Sequence, residues 1–143
     1  MNSPPGTVGL TVRLAALLYD ALVLACVWFF AATLAVALNG GQALPPQHPL
    51  LSLYLLLVSF GFVGWFWTHG GQTLGMKAWK IRLVETGGGS VGWKAALIRY
   101  LLALLSLACL GLGYLWVIVE PQKRSWHDLG SNTRVVRADS TGP

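Results

Sequence analysis

The sequence predicts an all-α polytopic membrane protein, with two clear transmembrane helices, a third hydrophobic segment that is Gly-broken or re-entrant, and a small cytoplasmic β element. Three observations predict it. Apolar residues make up 55% of the 143-residue chain and charged residues only 10%, where soluble domains carry about 25%. The apolar residues gather in three stretches, at about 14–38, 50–67 and 97–119, and the first is long enough for a bilayer crossing of about 20 residues. Lys and Arg collect beside the stretches and leave one connection without any charge, the pattern of a threaded chain.

Residues 1–12 read as a disordered N-terminal segment, 13–137 as one membrane domain and 138–143 as a disordered tail. From Leu14 to Leu38 only Asp20 and Thr33 break the apolar run. It is longer than the 7–15 residue core of a signal peptide, and a carboxylate inside such a core is unfavourable, so it is expected to stay as a span. The connection "NGGQALPPQHP" (39–49) has no charged residue and is expected outside. The segment 68–96 carries Lys77, Lys80, Arg82 and Lys94 against Glu85, so it and the N-terminus with Arg13 are expected in the cytoplasm. Cys26 and Cys109 lie in apolar runs with no CxxC or metal spacing and read as packing residues.

The third segment admits two readings. A straight crossing would place Lys123, Arg124, Arg134 and Arg137 outside. Against it, "LGLGY" (110–114) can break a helix, and "KIRLV" (80–84) and "TRVVR" (133–137) are both β-type runs that could pair only on one side. Tail charge and strand complementarity favour a bend at Gly111–Gly113. Such a bend needs shielding by protein at membrane depth.

Asp20 is the residue that least suits its surroundings. A carboxylate at a helix centre costs about 2.5–3.5 kcal/mol on insertion scales, so it is expected to face other helices and to have a partner. Arg99 is the first candidate and Arg13 the second, with Ala16, Ala31 and Ala35 allowing close approach on the same face. Two roles compete: a charge that fixes helix register, and a cation or proton site. In "HGGQTLGMKAWKIRLV" (69–84) no GK[ST] or GxGxxG spacing supports phosphate binding, and Lys77, Lys80 and Arg82 suit anionic headgroups. In "KRSWHDLGSNTRVV" (123–136), His127 and Asp128 have no further ligand at metal spacing. Asp128 or Ser131 is instead expected to cap backbone amides, or Asp128 to accept from Arg13. His48 and His69 read as spectators. Trp65, Trp67, Trp79, Trp93, Trp116 and Trp126 fall near the ends of the predicted spans, as an interfacial belt does.

Four stretches, in this order, resemble the RDD family of bacterial membrane proteins, named for one arginine and two aspartates: "VRLAALLYDALVL", "GGQTLGMKAWKIRLV", "WKAALIRYLL" and "KRSWHDLGSNTRVV". The resemblance runs from Arg13 to Val136. It implies a charge cluster of Arg13, Asp20, Arg99 and Asp128 and a turn motif of Gly71, Gln72, Thr73 and Gly75. Met76 departs from the pattern, since many members carry a basic residue there; Lys77 follows at once. The family is generally described as of unknown function, with transport suggested and sodium/proton exchange proposed for some members.

The expected function is therefore that of a membrane protein handling cations or protons as a homo-oligomer in the bacterial inner membrane. A non-catalytic scaffold with a structural charge cluster is the alternative. No catalytic residue, metal site, cofactor or nucleic-acid partner is expected, since no nucleophile–base pair or ligand set emerges; the bilayer itself is the expected partner.

Overall fold

The computed structural model describes residues 6–140. Helix α1 (Leu10–Leu38) runs 29 residues with neither Pro nor Gly, about 43 Å at 1.5 Å per residue. Gly40 and Gly41 stop it at φ 68° and 81°, and the Gly41 N–H closes on the Val36 carbonyl at 2.9 Å, a helix-ending bond that glycine makes without steric cost. Helix α2 (Pro49–Thr68) begins with Pro49 in its first turn, where the missing N–H is no loss. The His48 ring caps it by accepting from the Leu50 N–H at 3.3 Å. So His48 has a structural task that the sequence reading did not assign. Both helices are long and apolar enough to cross a membrane. Leu18, Leu22, Phe29, Phe30 and Leu34 are exposed along α1, a surface suited to acyl chains. Where α1 and α2 meet, Trp28 Nε1 donates to buried Ser59 at 2.7 Å.

The third hydrophobic segment is bent. After the short α3 (Leu74–Ala78) and strand β1 (Ile81–Glu85), α4 (Trp93–Ala108) is followed by α5 (Leu112–Val119), turned from it by 97°. Leu110 and Gly111 are both left-handed, at φ 59° and 80°, and two such residues in succession end a right-handed helix. The break therefore lies at Leu110–Gly111. Gly113, expected to share in it, sits inside α5, where a β-carbon would come within 2.5 Å of the Ser106 hydroxyl. At 16 residues, α4 rises about 24 Å, short of the roughly 30 Å hydrocarbon core. The chain then returns to the start of α1, where Arg13 donates to the Lys123 carbonyl at 2.6 Å.

Helix α6 (Trp126–Gly130) leads into β2 (Thr133–Arg137), which pairs antiparallel with β1 from Ile81↔Arg137 to Glu85↔Thr133. Paired strands lie on one side of any membrane, so the tail shares its side with residues 69–92. The sheet turns Ile81, Leu83 and Val135 into a core with Val8, Ala16, Met76, Val91 and Ala96.

That core corrects the expected boundary at residue 13. Val8 is fully buried, Thr7 bridges to Val136 and α1 starts at Leu10. A short 3-10 turn, Ala138–Ser140, follows β2. The rest of the termini expected to be disordered, residues 1–5 and 141–143, lies outside the described residues. Cys26, expected to pack, is exposed on α1.

Candidate functional site

The polar residues of the sheet end form two separate assemblies. In the first, Asp128 is shared by two arginines. Arg13 donates to Asp128 Oδ2 at 2.6 Å and Arg99 donates to Asp128 Oδ1. All three side chains are buried, Asp128 to within 1% of full burial. Arg13 spends its other donors on the carbonyls of Val8 (3.2 Å) and Lys123 (2.6 Å). Arg99 also donates to Thr133 Oγ1 at 3.2 Å and lies 5.3 Å above the Trp67 ring. Asp128 accepts a third bond, from the Ser125 N–H at 3.1 Å, closing the first turn of α6. Burial alone would raise the Asp128 carboxyl, but the Arg99 and Arg13 guanidiniums hold it well below the usual carboxylate range.

The expected pairing of Asp20 with Arg99 or Arg13 is therefore overturned. Both arginines belong to Asp128, as the capping account of that residue anticipated for Arg13. Asp20 belongs instead to the second assembly, which is the turn motif. Thr73 Oγ1 donates to Asp20 Oδ2 at 2.5 Å and the Gly75 N–H donates to Oδ1 at 2.8 Å. Thr73 Oγ1 in turn accepts from the Met76 N–H at 3.3 Å as the N-cap of α3. Gly75 rests on the Ala16 carbonyl, with no room for a β-carbon. Gly71, at φ 70°, accepts from the Leu83 N–H at 2.7 Å, and Gln72 reaches the Ile81 carbonyl at 2.8 Å. All four motif residues thus fasten the link after α2, to α1 at one end and to β1 at the other.

The depth of Asp20 also changes. With Leu38 at the far boundary, a core of about 30 Å takes up about 20 residues of α1 and ends near residue 19. A crossing of that length would leave Asp20 at the edge of the hydrocarbon, against Gly75 of α3, and not at the centre of the span.

Between the helices lies a cavity of about 250 Å³ with mainly apolar walls, among them Ala16, Leu17, Leu24, Val63, Ala103 and Leu107. Asp20, Arg13, Arg99, Tyr114 and His127 form its polar part. Sequence reasoning missed Tyr114 and Trp67 there. It also missed Ser125 and Thr133, both fully buried. Ser125 had a signal, since "SWHD" places Ser and Asp three apart at a helix start; Tyr114 had none.

His127 contacts Ser125 Oγ through Nε2 at 2.9 Å and lies 4.6 Å from the Tyr114 ring. Burial, reinforced by the Arg99 charge, lowers it from 6.5 to about 3 despite the opposing pull of Asp128. A neutral folded imidazole gives a definite pH dependence. Above 6.5 neither state takes up the proton; below it only the unfolded chain does, so stability falls as pH drops toward 3. The slope approaches about 1.4 kcal/mol per pH unit. Thermal unfolding in detergent from pH 7 to 4.5 should display it. His127→Gln should flatten the slope, and an unchanged slope would contradict this account.

The family model described as the RDD family matches residues 7–132, which is most of the chain. No curated protein and no solved structure matches it significantly.

Proposed function

Because the chain belongs to the RDD family, we propose that it works in the bacterial cytoplasmic membrane as a homo-oligomer that moves a cation or a proton. In this reading Asp20 is the exchanging group, no cofactor takes part and no covalent reaction occurs. One observation carries it: among the described residues no cation lies within ion-pairing distance of Asp20, whereas Arg13 and Arg99 are neutralised on Asp128. An ionisable residue in a helix-lined cavity without a fixed counter-charge is the group most ready to exchange its ion.

In this reading the N-terminus lies in the cytoplasm. Lys77, Lys80 and Lys94 are exposed at the sheet end, with Arg82 half-buried beside them, and together they would meet anionic headgroups. Association of several copies supplies the helices that two spans and a bent segment lack for alternating access.

A scaffold role is the second reading, favoured by the fact that both Asp20 oxygens are already occupied by the Thr73–Gly75 turn. Asp20→Asn separates the two. The Thr73 hydroxyl can reverse and accept from the new amide, so folding is retained while the ionisable proton is gone. Proteoliposomes with a trapped pH dye should show cation-driven proton movement for the parent chain and none for Asp20→Asn at equal incorporation. A folded Asp20→Asn protein with parental flux, or a parent without flux, would leave the scaffold reading.

A further inference from the structure

A second pocket, of about 220 Å³, lies along β2 on the edge that β1 does not occupy. Thr7 bridges to Val136 there, and the Arg137 N–H donates to the Gly6 carbonyl at 3.1 Å. Gln122 and Arg124, on the chain leaving α5, complete the wall with Arg13 and Arg134. Three of the lining residues are arginines and none is acidic, so the pocket is positive on every charged side. None of them belongs to the basic surface of Lys77, Lys80, Arg82 and Lys94.

The three arginines contribute differently. Each nitrogen of Arg13 is already engaged, on Val8, Lys123 or Asp128, so this residue supplies charge and no contact. Asp128 is one carboxylate between two buried guanidiniums, and Asp20 lies beyond ion-pairing distance of both, so their assembly keeps one positive charge in excess. Low dielectric around buried groups strengthens the pull of that excess on an anion next to Arg13. Arg124 and Arg134 supply surface that a ligand can reach. Arg134 is exposed and forms no ion pair among the described residues. Arg124 gives one nitrogen to Glu120 at 3.2 Å and keeps 25% of its side chain exposed. Guanidinium forks match the oxygens of phosphate, and a tetrahedral phosphate presents oxygens in several directions, where a planar carboxylate presents two in one plane. The exposed Gln122 amide adds a neutral donor.

We propose that this pocket binds a phosphate group, held between Arg124 and Arg134. The group has two sources. Ile118 and Val119, exposed at the end of α5, suit acyl chains close to Gln122, so an anionic lipid can present its headgroup; free phosphate can enter from the aqueous side. The site needs neither Asp20 nor ion movement, so it stands apart from the transport reading.

The test uses the full chain, delipidated in dodecyl maltoside at constant ionic strength set with chloride. Its unfolding midpoint is followed while inorganic phosphate, dioctanoyl phosphatidylglycerol or dioctanoylglycerol is titrated. A ligand of the folded state raises the midpoint, so a phosphate-bearing probe should raise it saturably and dioctanoylglycerol should not. A phosphatidylglycerol effect at concentrations at least tenfold below those of inorganic phosphate would make the occupant a lipid headgroup. Inorganic phosphate acting at equal or lower concentration would make it free phosphate. Arg134→Gln should raise the half-saturating concentration at least tenfold. If Arg134→Gln does not fold, Gln122→Glu decides alone: it changes an exposed side chain, sets a carboxylate at the pocket and should abolish the rise. Lys80→Gln removes the same charge from the other basic surface and should leave the half-saturating concentration within about twofold of the parent value. No saturable rise with either phosphate probe would overturn the proposal, as would an equal rise with dioctanoylglycerol. So would an undiminished rise in Arg134→Gln or Gln122→Glu, or a loss in Lys80→Gln as large as in Arg134→Gln, which would leave only a diffuse attraction of charge.

Discussion

Asp128→Asn is expected to destabilise the protein by about 3–5 kcal/mol, the usual loss when one partner of a buried ion pair is removed. The substitution leaves two guanidiniums, each about 95% buried, without their common anion. It also weakens the bond to the Ser125 N–H at the start of α6. Arg13→Gln or Arg99→Gln should cost less, because Asp128 keeps the other arginine. The informative variant is the pair Asp128→Asn with Arg99→Gln. It removes one of the two stranded cations and should be more stable than Asp128→Asn alone, a coupling of opposite sign to simple addition. Denaturant or thermal unfolding in detergent measures all four. A double variant no better than Asp128→Asn would mean that the assembly is not held by charge.

Gly75→Ala should have the second largest effect, about 1–3 kcal/mol for an overpacked contact and more if backbone has to move. The new methyl meets the Ala16 carbonyl and lies 3.0 Å from Asp20 Cγ, so α3 must lift from α1 and stretch both bonds to Asp20. Gly61→Ala is the matched control. It adds the same methyl in α2 with nothing within 4 Å, and Ala is the better helix former by about 1 kcal/mol. Unfolding midpoints should therefore move in opposite directions. A Gly75→Ala protein as stable as Gly61→Ala would remove the close α1–α3 approach as the reason for glycine at 75.

The sequence made the spans legible because burial in lipid depends only on local apolar content. The strands were legible for a similar reason: "KIRLV" and "TRVVR" carry their preference in their own side chains, and they pair from 81 to 85 with 133 to 137. The partners of the charges were not legible. Whether Arg99 meets Asp20 or Asp128 depends on how high α3 and α6 ride along α1 and α4, and that height is set by Gly75 on Ala16 and by Val8 in the sheet core. Neither contact leaves a mark in a hydropathy pattern. Asp20 misled for the same reason, because a linear reading counts α1 as entering lipid at its first apolar residue. Leu10–Arg13, at the helix start, instead belong to the cap beneath the spans.

The long reach of the Arg13–Asp128 pair, 115 residues apart, has a consequence for biogenesis. At about 5–20 residues per second, the ribosome needs roughly 6–23 s to deliver the aspartate after the arginine. Over that interval the opening helix waits with an unmatched cation beside the nascent bilayer insertion site. A nascent chain halted ahead of residue 128 should therefore be threaded yet unlatched, and prone to protease digestion.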